Sequence, residues 1–237
     1  MSAAARGLWE VRQYLVRPDK IGEYVGLCTA SAGARARLAP GFSGFFVSEL
    51  GGVLNQVTHF YHYPCYDSRD EARAAMTKDG EWCEFLDKSK PMLQSQAADV
   101  FIEAADCMQA AGVEGHAKDF RAEGAGGGAL YELRTYQLDL GYDAIPSLRK
   151  HMVAGLPSKV AADAEGRAQL AFMGWTDAGP LNKFVELWRY DTMQDTIRVR
   201  EAARTAAAWR KAVADIAPSV QSFTTQFVKP ASFSPWA

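Results

Sequence analysis

Two short strings of the chain carry the same charged and phenolic side chains at alternating positions. The first, W-E-V-R-Q-Y, contains Glu10, Arg12 and Tyr14, and the second, Y-E-L-R-T-Y, repeats this trio. The repeated residues are Glu132, Arg134 and Tyr136. Because alternate side chains of a β-strand lie on one face, each trio would project from one side of a sheet. A carboxylate, a guanidinium group and a phenol held together could bind a small polar ligand or transfer protons.

Aligning a further strand of the repeat adds two pairs to this candidate site. His59 then corresponds to Glu186, and Tyr61 corresponds to Trp188. We predict that both trios face the seam between two packed sheets and that His59 and Glu186 share this seam, where either could act as a general acid or base. We favour a structural interpretation, because Glu–Arg pairs can fix how two sheets pack and a catalytic site rarely needs the same trio twice.

The repeat extends over most of the chain and predicts the architecture. Trp82 and Pro91 recur as Trp209 and Pro218. Each copy is predicted to run strand, helix, strand, strand, helix, strand. In the first copy the strands are predicted over residues 8–16, 44–50, 55–63 and 97–104, and helical segments over 19–38 and 67–92. Two antiparallel sheets, each with helices on one face, would bury their bare faces against each other as one pseudo-twofold α+β barrel.

The chain is predicted to divide into two such units. Residues 1–105 would form the first unit, 106–129 a linker, and 130–237 the second unit with a C-terminal tail. The linker is rich in alanine and glycine, and its 124–128 segment is typical of a flexible hinge.

The composition restricts the classes of partner. With 26 Lys and Arg against 28 Asp and Glu, the chain has a formal net charge of −2, so we expect no nucleic-acid partner. The four cysteines form no C-x-x-C pair and are interpreted as reduced. No segment approaches the ~20 apolar residues of a membrane-spanning helix, and the strand pattern begins by Leu8. We therefore expect neither a transmembrane segment nor a cleaved presequence within this sequence.

The histidines give no reason to expect a metal or cofactor. His59 and His62 are three residues apart on a predicted strand, so they would point to opposite faces and could not bind one metal ion together. A single histidine acting as an axial haem ligand stays an alternative, although the sequence singles none out.

One helical segment of the second copy is basic. It contains Arg198, Arg200, Arg204, Arg210 and Lys211. Such a segment could contact an acidic partner or a lipid headgroup. Because Asp195 and Glu201 interrupt it, a solvated helix face with local ion pairs is the favoured interpretation.

The second copy resembles the NIPSNAP family in its Y-E-L-R-T-Y string and in later aromatic and arginine residues. Those residues are Trp188, Tyr190, Arg200, Arg204 and Trp209. The first copy resembles the family more loosely over residues 8–103. The resemblance implies ferredoxin-like units that form a barrel of the dimeric α+β type. It also implies a mainly mitochondrial protein that is involved in organelle quality control and vesicle-related interactions, and for which no catalytic reaction is established.

Two functional hypotheses follow. The first is a non-catalytic, NIPSNAP-like mitochondrial protein that acts through protein partners, for example as an accessory subunit of a large assembly. Its candidate partner contacts are Arg200 and Arg204, together with Phe233 and Trp236, which are unusually apolar for a chain terminus. The alternative is a small-ligand or haem-binding barrel, or a monooxygenase-like enzyme of the same superfamily. An open pocket would favour the alternative, and a filled barrel with an apolar outer patch would favour a partner.

Overall fold

A computed structural model of the protein describes residues 7–123 and 129–237. The first unit contains β1 Leu8–Val16, α1 Ile21–Ala30, α2 Ala32–Leu38, β2 Phe42–Leu50, β3 Gln56–Tyr63, α3 Tyr66–Met76, α4 Gly80–Ser89 and β4 Leu93–Glu103. A short helix, α5 Ala105–Ala110, follows it. The second unit contains β5 Leu130–Leu138, α6 Ala144–Ala162, β6 Gln169–Ala178, β7 Lys183–Tyr190, α7 Met193–Thr205, α8 Ala207–Ile216 and β8 Val220–Pro230. The predicted hinge at 124–128 lies outside the described residues.

The strands form one closed barrel in the order β1-β3-β2-β8-β5-β7-β6-β4. Neighbouring strands are antiparallel, and the pairs β2–β8 and β4–β6 join the sheets of the two units along both edges. Closure pairs every strand edge within the barrel, so these strands offer no edge for aggregation. The predicted fold is confirmed: two ferredoxin-like βαββαβ units pack sheet to sheet as a pseudo-twofold α+β barrel.

The predicted helical segments are each divided in the structure. The long segment after β3 becomes α3 and α4, and Asp79 marks the division. The Asp79 carboxylate accepts a hydrogen bond from the backbone N–H of Trp82 at 2.9 Å. This N-cap satisfies a free donor in the first turn of α4, so a new helix begins there.

The barrel interior is filled by apolar side chains from both units and from the C-terminal tail. The Trp9 ring lies 5.1 Å from that of Phe172 and 5.6 Å from that of Trp236. The tail is held there because the Tyr131 hydroxyl donates to the Trp236 carbonyl at 2.6 Å. Phe233 packs on the first sheet. Trp236 is 1% exposed and packs within its own chain, which leaves it no surface for a partner, whereas Phe233 is partly exposed and its contact with a partner stays a prediction.

Within residues 7–123 and 129–237, no helix has the length and apolar character needed to cross a bilayer. That part of the chain also has no cluster of three or more His, Cys, Asp or Glu side chains arranged to hold a metal ion.

Candidate functional site

The two polar trios lie on the helix-covered outside of the barrel. From α3, Arg69 Nη2 donates to Glu10 Oε1 at 2.8 Å, and from α7, Arg200 Nη2 donates to Glu132 Oε1 at 2.6 Å. The intervening strand residues, such as Trp9, point into the barrel instead. The prediction that the trios face the seam is therefore wrong. The physical reason is that two sheets exclude water best with apolar faces, whereas the helices supply arginines that neutralise the carboxylates.

The strand register explains which further residues join each trio. Arg12 lies opposite His59 in the β1–β3 pair, and Arg134 lies opposite Glu186 in the β5–β7 pair. The expected correspondence of His59 with Glu186 therefore holds. These two residues do not share a site, however, because each one faces the helices of its own unit.

In the second unit, Glu132 is the centre of one hydrogen-bond network. Its Oε1 accepts from Arg200 Nη2 at 2.6 Å and from Thr225 Oγ1 at 2.7 Å, and its Oε2 accepts from the Tyr190 hydroxyl at 3.1 Å. Burial raises the pKa of Glu132, but Arg134, Thr225 and Arg200 outweigh burial and hold that pKa below its usual value. Glu132 is therefore ionised at neutral pH and fixes α7 to the sheet.

Glu186 is the centre of a second, deeper network. The Tyr136 hydroxyl donates to Oε1 and the Trp188 indole N–H donates to Oε2, both at 2.6 Å. Lys159 Nζ lies 3.5 Å from Oε2, and Arg134 Nη1 lies 3.9 Å from it. Burial raises the pKa of Glu186, but Lys159, Arg134 and the two hydrogen bonds outweigh burial and lower it. A completely buried carboxylate is thereby kept ionised.

Lys159 extends from α6 towards this carboxylate between two indole rings. Its Nζ is 3.8 Å from the ring centroid of Trp188 and 4.9 Å from that of Trp209, which are cation–π distances. The ammonium group is buried, and its counter-charge is the Glu186 carboxylate. Burial lowers the pKa of Lys159 to about 8, against the attraction of Glu186.

A cleft of about 730 Å³ lies beside this charged cluster, between the helices and the sheet of the second unit. We call it the α6–α8 cleft, because α6, α7 and α8 cover it and the outer faces of β5 and β8 form its floor. Its apolar walls include Met152, Val199, Trp209, Ile216, Val220 and Phe223. Its volume lies within the range of small-molecule sites, and mostly apolar walls with a few converging polar groups are typical of such sites.

The cleft carries an excess of positive charge. Its cationic side chains are Arg134, Lys159, Arg200, Arg204 and Arg210. Glu132 lines the same cleft, and Glu186 lies behind Lys159. Within the described residues, Arg204 and Arg210 pair with no carboxylate. Since the whole chain has a formal net charge of −2, this local excess favours an anion. Arg200 and Arg204, which were predicted as partner contacts, both line this cleft, and their contact with a partner stays a prediction.

The chain is similar to known proteins in sequence and in fold. The NIPSNAP family model matches residues 9–108 and 131–235, which is most of the chain. The chain belongs to the NIPSNAP family. Human Protein NipSnap homolog 3A is 27% identical over 235 residues, which cover 96% of this chain and 85% of that protein. Drosophila melanogaster Protein NipSnap is 21% identical over 234 residues, which cover 96% of this chain and 78% of that protein.

A solved structure of a candidate monooxygenase from Lactobacillus acidophilus is similar over the whole barrel. It covers 96% of this chain and 95% of its own length, with a TM-score of 0.62 and 8% identity. At that identity the likeness shows the fold alone. It supports the dimeric α+β barrel architecture of this NIPSNAP protein without indicating a reaction.

The first unit of this NIPSNAP protein fills the corresponding space with its own side chains. Arg35 of α2 is 2% exposed, and its guanidinium carbon lies 5.0 Å from the Trp82 ring centroid and 5.4 Å from that of Phe42. Arg35 also donates a short hydrogen bond to the Tyr61 hydroxyl. Because Tyr61 corresponds to Trp188 and Trp82 to Trp209, Arg35 occupies the place that Lys159 occupies in the second unit.

His59 does not fit a haem ligand. It is 1% exposed, and its ring lies 4.8 Å from that of Tyr14 and 4.5 Å from that of Phe45. Rings packed this closely leave no room for a porphyrin plane. Burial, then Arg35 and Arg12, lower the pKa of His59 well below its usual value. The imidazole is therefore neutral and packs as an aromatic side chain.

Sequence reasoning missed Lys159, although a signal for it was present. In α6 the buried residues include Leu148, Met152, Leu156 and Lys159. These positions follow the spacing of one helix face. A lysine within such an otherwise apolar stripe indicates a buried cation, which needs a counter-charge or a ligand.

Proposed function

We propose that this NIPSNAP protein binds a small amphipathic anion, a molecule with an apolar body and one acidic group, in the α6–α8 cleft. The observation that supports this most strongly is the excess of cationic side chains, above all Arg204 and Arg210, along a mostly apolar cleft of about 730 Å³. A guanidinium group that has no carboxylate partner gains free energy from charge-assisted hydrogen bonds to an anionic oxygen.

The two unpaired arginines lie on different helices. Arg204 lies on α7 and Arg210 on α8, and both line the cleft. An acidic group near either guanidinium would gain charge-assisted hydrogen bonds, while the apolar body would contact Trp209 and Phe223. The proposed function is binding without turnover, in keeping with the hypothesis of a non-catalytic protein.

Calorimetric titration with octanoate and with 1-octanol tests the proposal, because these ligands share an apolar chain and differ in charge. We expect octanoate to bind at least about tenfold more tightly, which corresponds to about 1.4 kcal/mol. The double variant Arg204→Gln, Arg210→Gln should lose most of this preference. Arg198→Gln is the matched control, because Arg198 lies on α7, pairs with Asp195 and does not line the cleft. Equal binding of the two ligands would refute an anion site.

We propose a second function, attachment to a protein partner in mitochondria, on the basis of one surface feature. Leu140, Tyr142 and Leu181 are 88%, 102% and 60% exposed. Their loops adjoin each other, because Asn182 Nδ2 donates to the carbonyls of Asp139 at 2.8 Å and of Gly141 at 3.1 Å. Exposed apolar side chains grouped in this way are typical of protein-binding patches.

Native sizing of the protein extracted gently from mitochondria tests this second function. If the patch binds a partner, a variant with serine at Leu140, Tyr142 and Leu181 should migrate as a smaller species than the unmodified protein. Serine at Val53 and Leu54 is the control, because these exposed residues lie on the corresponding hairpin of the first unit. The second function is excluded if all three proteins migrate at 25.9 kDa.

A further inference from the structure

We propose that one end of the barrel binds a small, neutral, polyhydroxylated molecule, a polyol of about the size of a monosaccharide. The site is a pocket of about 300 Å³ that is lined by interior-facing residues of the strands, and we call it the lumen pocket. Its volume is at the lower limit of the range for small-molecule sites. The lumen pocket lies on the opposite side of the sheet from the α6–α8 cleft, so this inference does not depend on the anion site.

The lumen pocket lies at the end of the barrel that the C-terminal tail leaves free. Trp9 of β1 packs against Trp236 with 5.6 Å between the ring centroids. Gln13 lies on the same face of β1, four residues further along, and lines the pocket. Four residues of strand span roughly 13 Å. The tail therefore fills one end of the interior, and the pocket occupies the other.

The lining changes from apolar to polar towards the open end. On β1, β5 and β7, an apolar lining residue is accompanied by a polar one two positions nearer that end. These steps are from Val11 to Gln13, from Leu133 to Thr135 and from Val185 to Lys183. Phe60 and Phe101 complete the apolar part. The pocket thus has an apolar base and a polar rim, which is the arrangement that a molecule with a C–H face and several polar groups requires.

The rim has no net charge. Its charged side chains are Asp99 and Lys183, which form a short ion pair and are 17% and 15% exposed. The two charges cancel, and the remaining polar lining side chains are amides and hydroxyls. This composition contrasts with the cationic α6–α8 cleft and favours an uncharged ligand.

The amides and hydroxyls of the rim have hydrogen-bonding capacity to spare. Within residues 7–123 and 129–237, the side chains of Gln13, Thr135 and Thr224 form no hydrogen bond. Gln226 donates through Nε2 to Ser48 Oγ at 2.8 Å, which leaves its amide oxygen as an acceptor. Amide and hydroxyl groups both donate and accept. A ligand hydroxyl does the same, so several hydroxyls around a carbon ring match this rim.

Two glycines let the hairpins approach the rim closely. A Cβ atom added to Gly52, in the β2–β3 hairpin, would lie 2.6 Å from Gln226 Cδ. A Cβ atom added to Gly179, in the corresponding β6–β7 hairpin, would collide with Asp99 Oδ1. Each hairpin therefore packs directly on one polar side chain of the rim, which restricts the positions of these hydrogen-bonding groups.

An NMR titration with myo-inositol tests the inference, with the side-chain amide signals of the glutamines assigned. We expect saturable shifts of the signals of Gln13 and Gln226. Cyclohexanol has the same carbon ring with a single hydroxyl, so it should bind at least about tenfold more weakly, because each lost hydrogen bond weakens binding about fivefold. Absence of a saturable shift at these two residues, or equal binding of cyclohexanol, would overturn the inference without recourse to any variant.

Two variants locate the site. The double variant Gln13→Met, Thr135→Val removes polar groups with little change in side-chain size and should weaken myo-inositol binding about tenfold or more. Gln96→Met is the matched control, because Gln96 is exposed on β4, lies opposite Tyr14 and does not line the pocket. Unchanged binding by the double variant would overturn the inference. Both variants should bind octanoate like the unmodified protein, so the lumen pocket and the anion site are tested separately.

Discussion

The side chains of Glu186 and Lys159 depend on each other. Each is almost completely buried, and an isolated charge at such depth would cost several kcal/mol. The carboxylate is stabilised by two hydrogen bonds, from Tyr136 and Trp188, as well as by the ammonium group. Removing one member of this cluster leaves the other charge inadequately paired.

We predict that Glu186→Gln lowers the free energy of unfolding by about 3 kcal/mol, because it leaves the Lys159 charge buried beside a neutral amide. Urea denaturation at pH 7 measures this. Glu201→Gln is the control, since Glu201 is exposed on α7 and its replacement should change stability by less than about 0.5 kcal/mol. Equal losses of unfolding free energy in the two variants would show that the Glu186–Lys159 pair does not stabilise the fold.

Lys159 should also give stability an unusual dependence on pH. Its folded-state pKa is about 8, below that of an unfolded lysine near ~10.4, so between these values the unfolded chain binds more protons than the folded protein. Stability therefore increases with pH in this window. Relative to Lys159→Arg, the native protein should gain on the order of 2 kcal/mol between pH 7 and pH 9.5 in urea denaturation. A constant difference between the two proteins would contradict a lowered pKa.

At the scale of elements, the close approach of α6 and α8 shapes the cleft. A Cβ atom added to Gly155 of α6 would lie 2.6 Å from Ala212 Cβ and 3.1 Å from Trp209 Cε3. Glycine therefore lets α8 approach closely enough for Trp209 to reach Lys159. The helix spacing, and with it the wall of the cleft, depends on this one missing side chain.

We predict that Gly155→Ala destabilises the protein by about 1–3 kcal/mol, because it forces α8 away from α6. It should weaken octanoate binding as well. Gly26→Ala is the matched control, since Gly26 lies in α1 and a Cβ there would meet nothing within 4 Å. That change should raise stability by up to about 1 kcal/mol through helix propensity. Thermal unfolding compares the two variants, and a stabilised Gly155→Ala would contradict the described packing.

Elements were predictable wherever side-chain periodicity alone determines them. The alternation of polar and apolar side chains predicted a strand over residues 8–16, and the structure has β1 at Leu8–Val16. It could not show which face of β1 meets the helices, because both faces of the sheet are covered and a polar stripe has the same period on either side. Nor could it show the division before α4, which depends on one capping side chain, Asp79.

At the scale of the whole molecule, the C-terminal tail closes the barrel core. Trp236 packs against rings of the first unit and of the linker, at 5.5 Å from Phe60 and 5.9 Å from Phe120. Ser234 Oγ accepts from the backbone N–H of Phe45 at 3.0 Å. The tail is thus part of the fold.

We predict that Trp236→Ala lowers the free energy of unfolding by about 3–5 kcal/mol, because it leaves a large cavity among aromatic rings. Phe233→Ala should lower the free energy of unfolding by a smaller amount, since Phe233 is only half-buried on the outside of the first sheet. Guanidinium denaturation of both variants tests this order. A Trp236→Ala variant as stable as the unmodified protein would mean that the tail does not occupy the barrel in solution.

The asymmetry between the units was not predictable from the duplication. Both copies carry the same Glu-Arg-Tyr trio, and both have a tryptophan at the corresponding place, Trp82 or Trp209. Whether the space beside that tryptophan is filled depends on how far Arg35 or Lys159 reaches across it. The position of each side chain depends on tertiary packing. The sequence therefore indicated a candidate polar site in both copies without indicating which copy would have an open cleft.

We propose that an amphipathic anion binds in the α6–α8 cleft of the second unit, and not in the barrel interior or in the first unit. The most direct measurement is a crystal structure with 8-bromooctanoate, in which anomalous scattering locates the bromine. We expect a bromine peak between the outer face of β5 and β8 and the helices α6–α8, with the carboxylate near Arg204 or Arg210. A bromine peak only inside the barrel or beside Arg35, or none at saturating ligand, would contradict it.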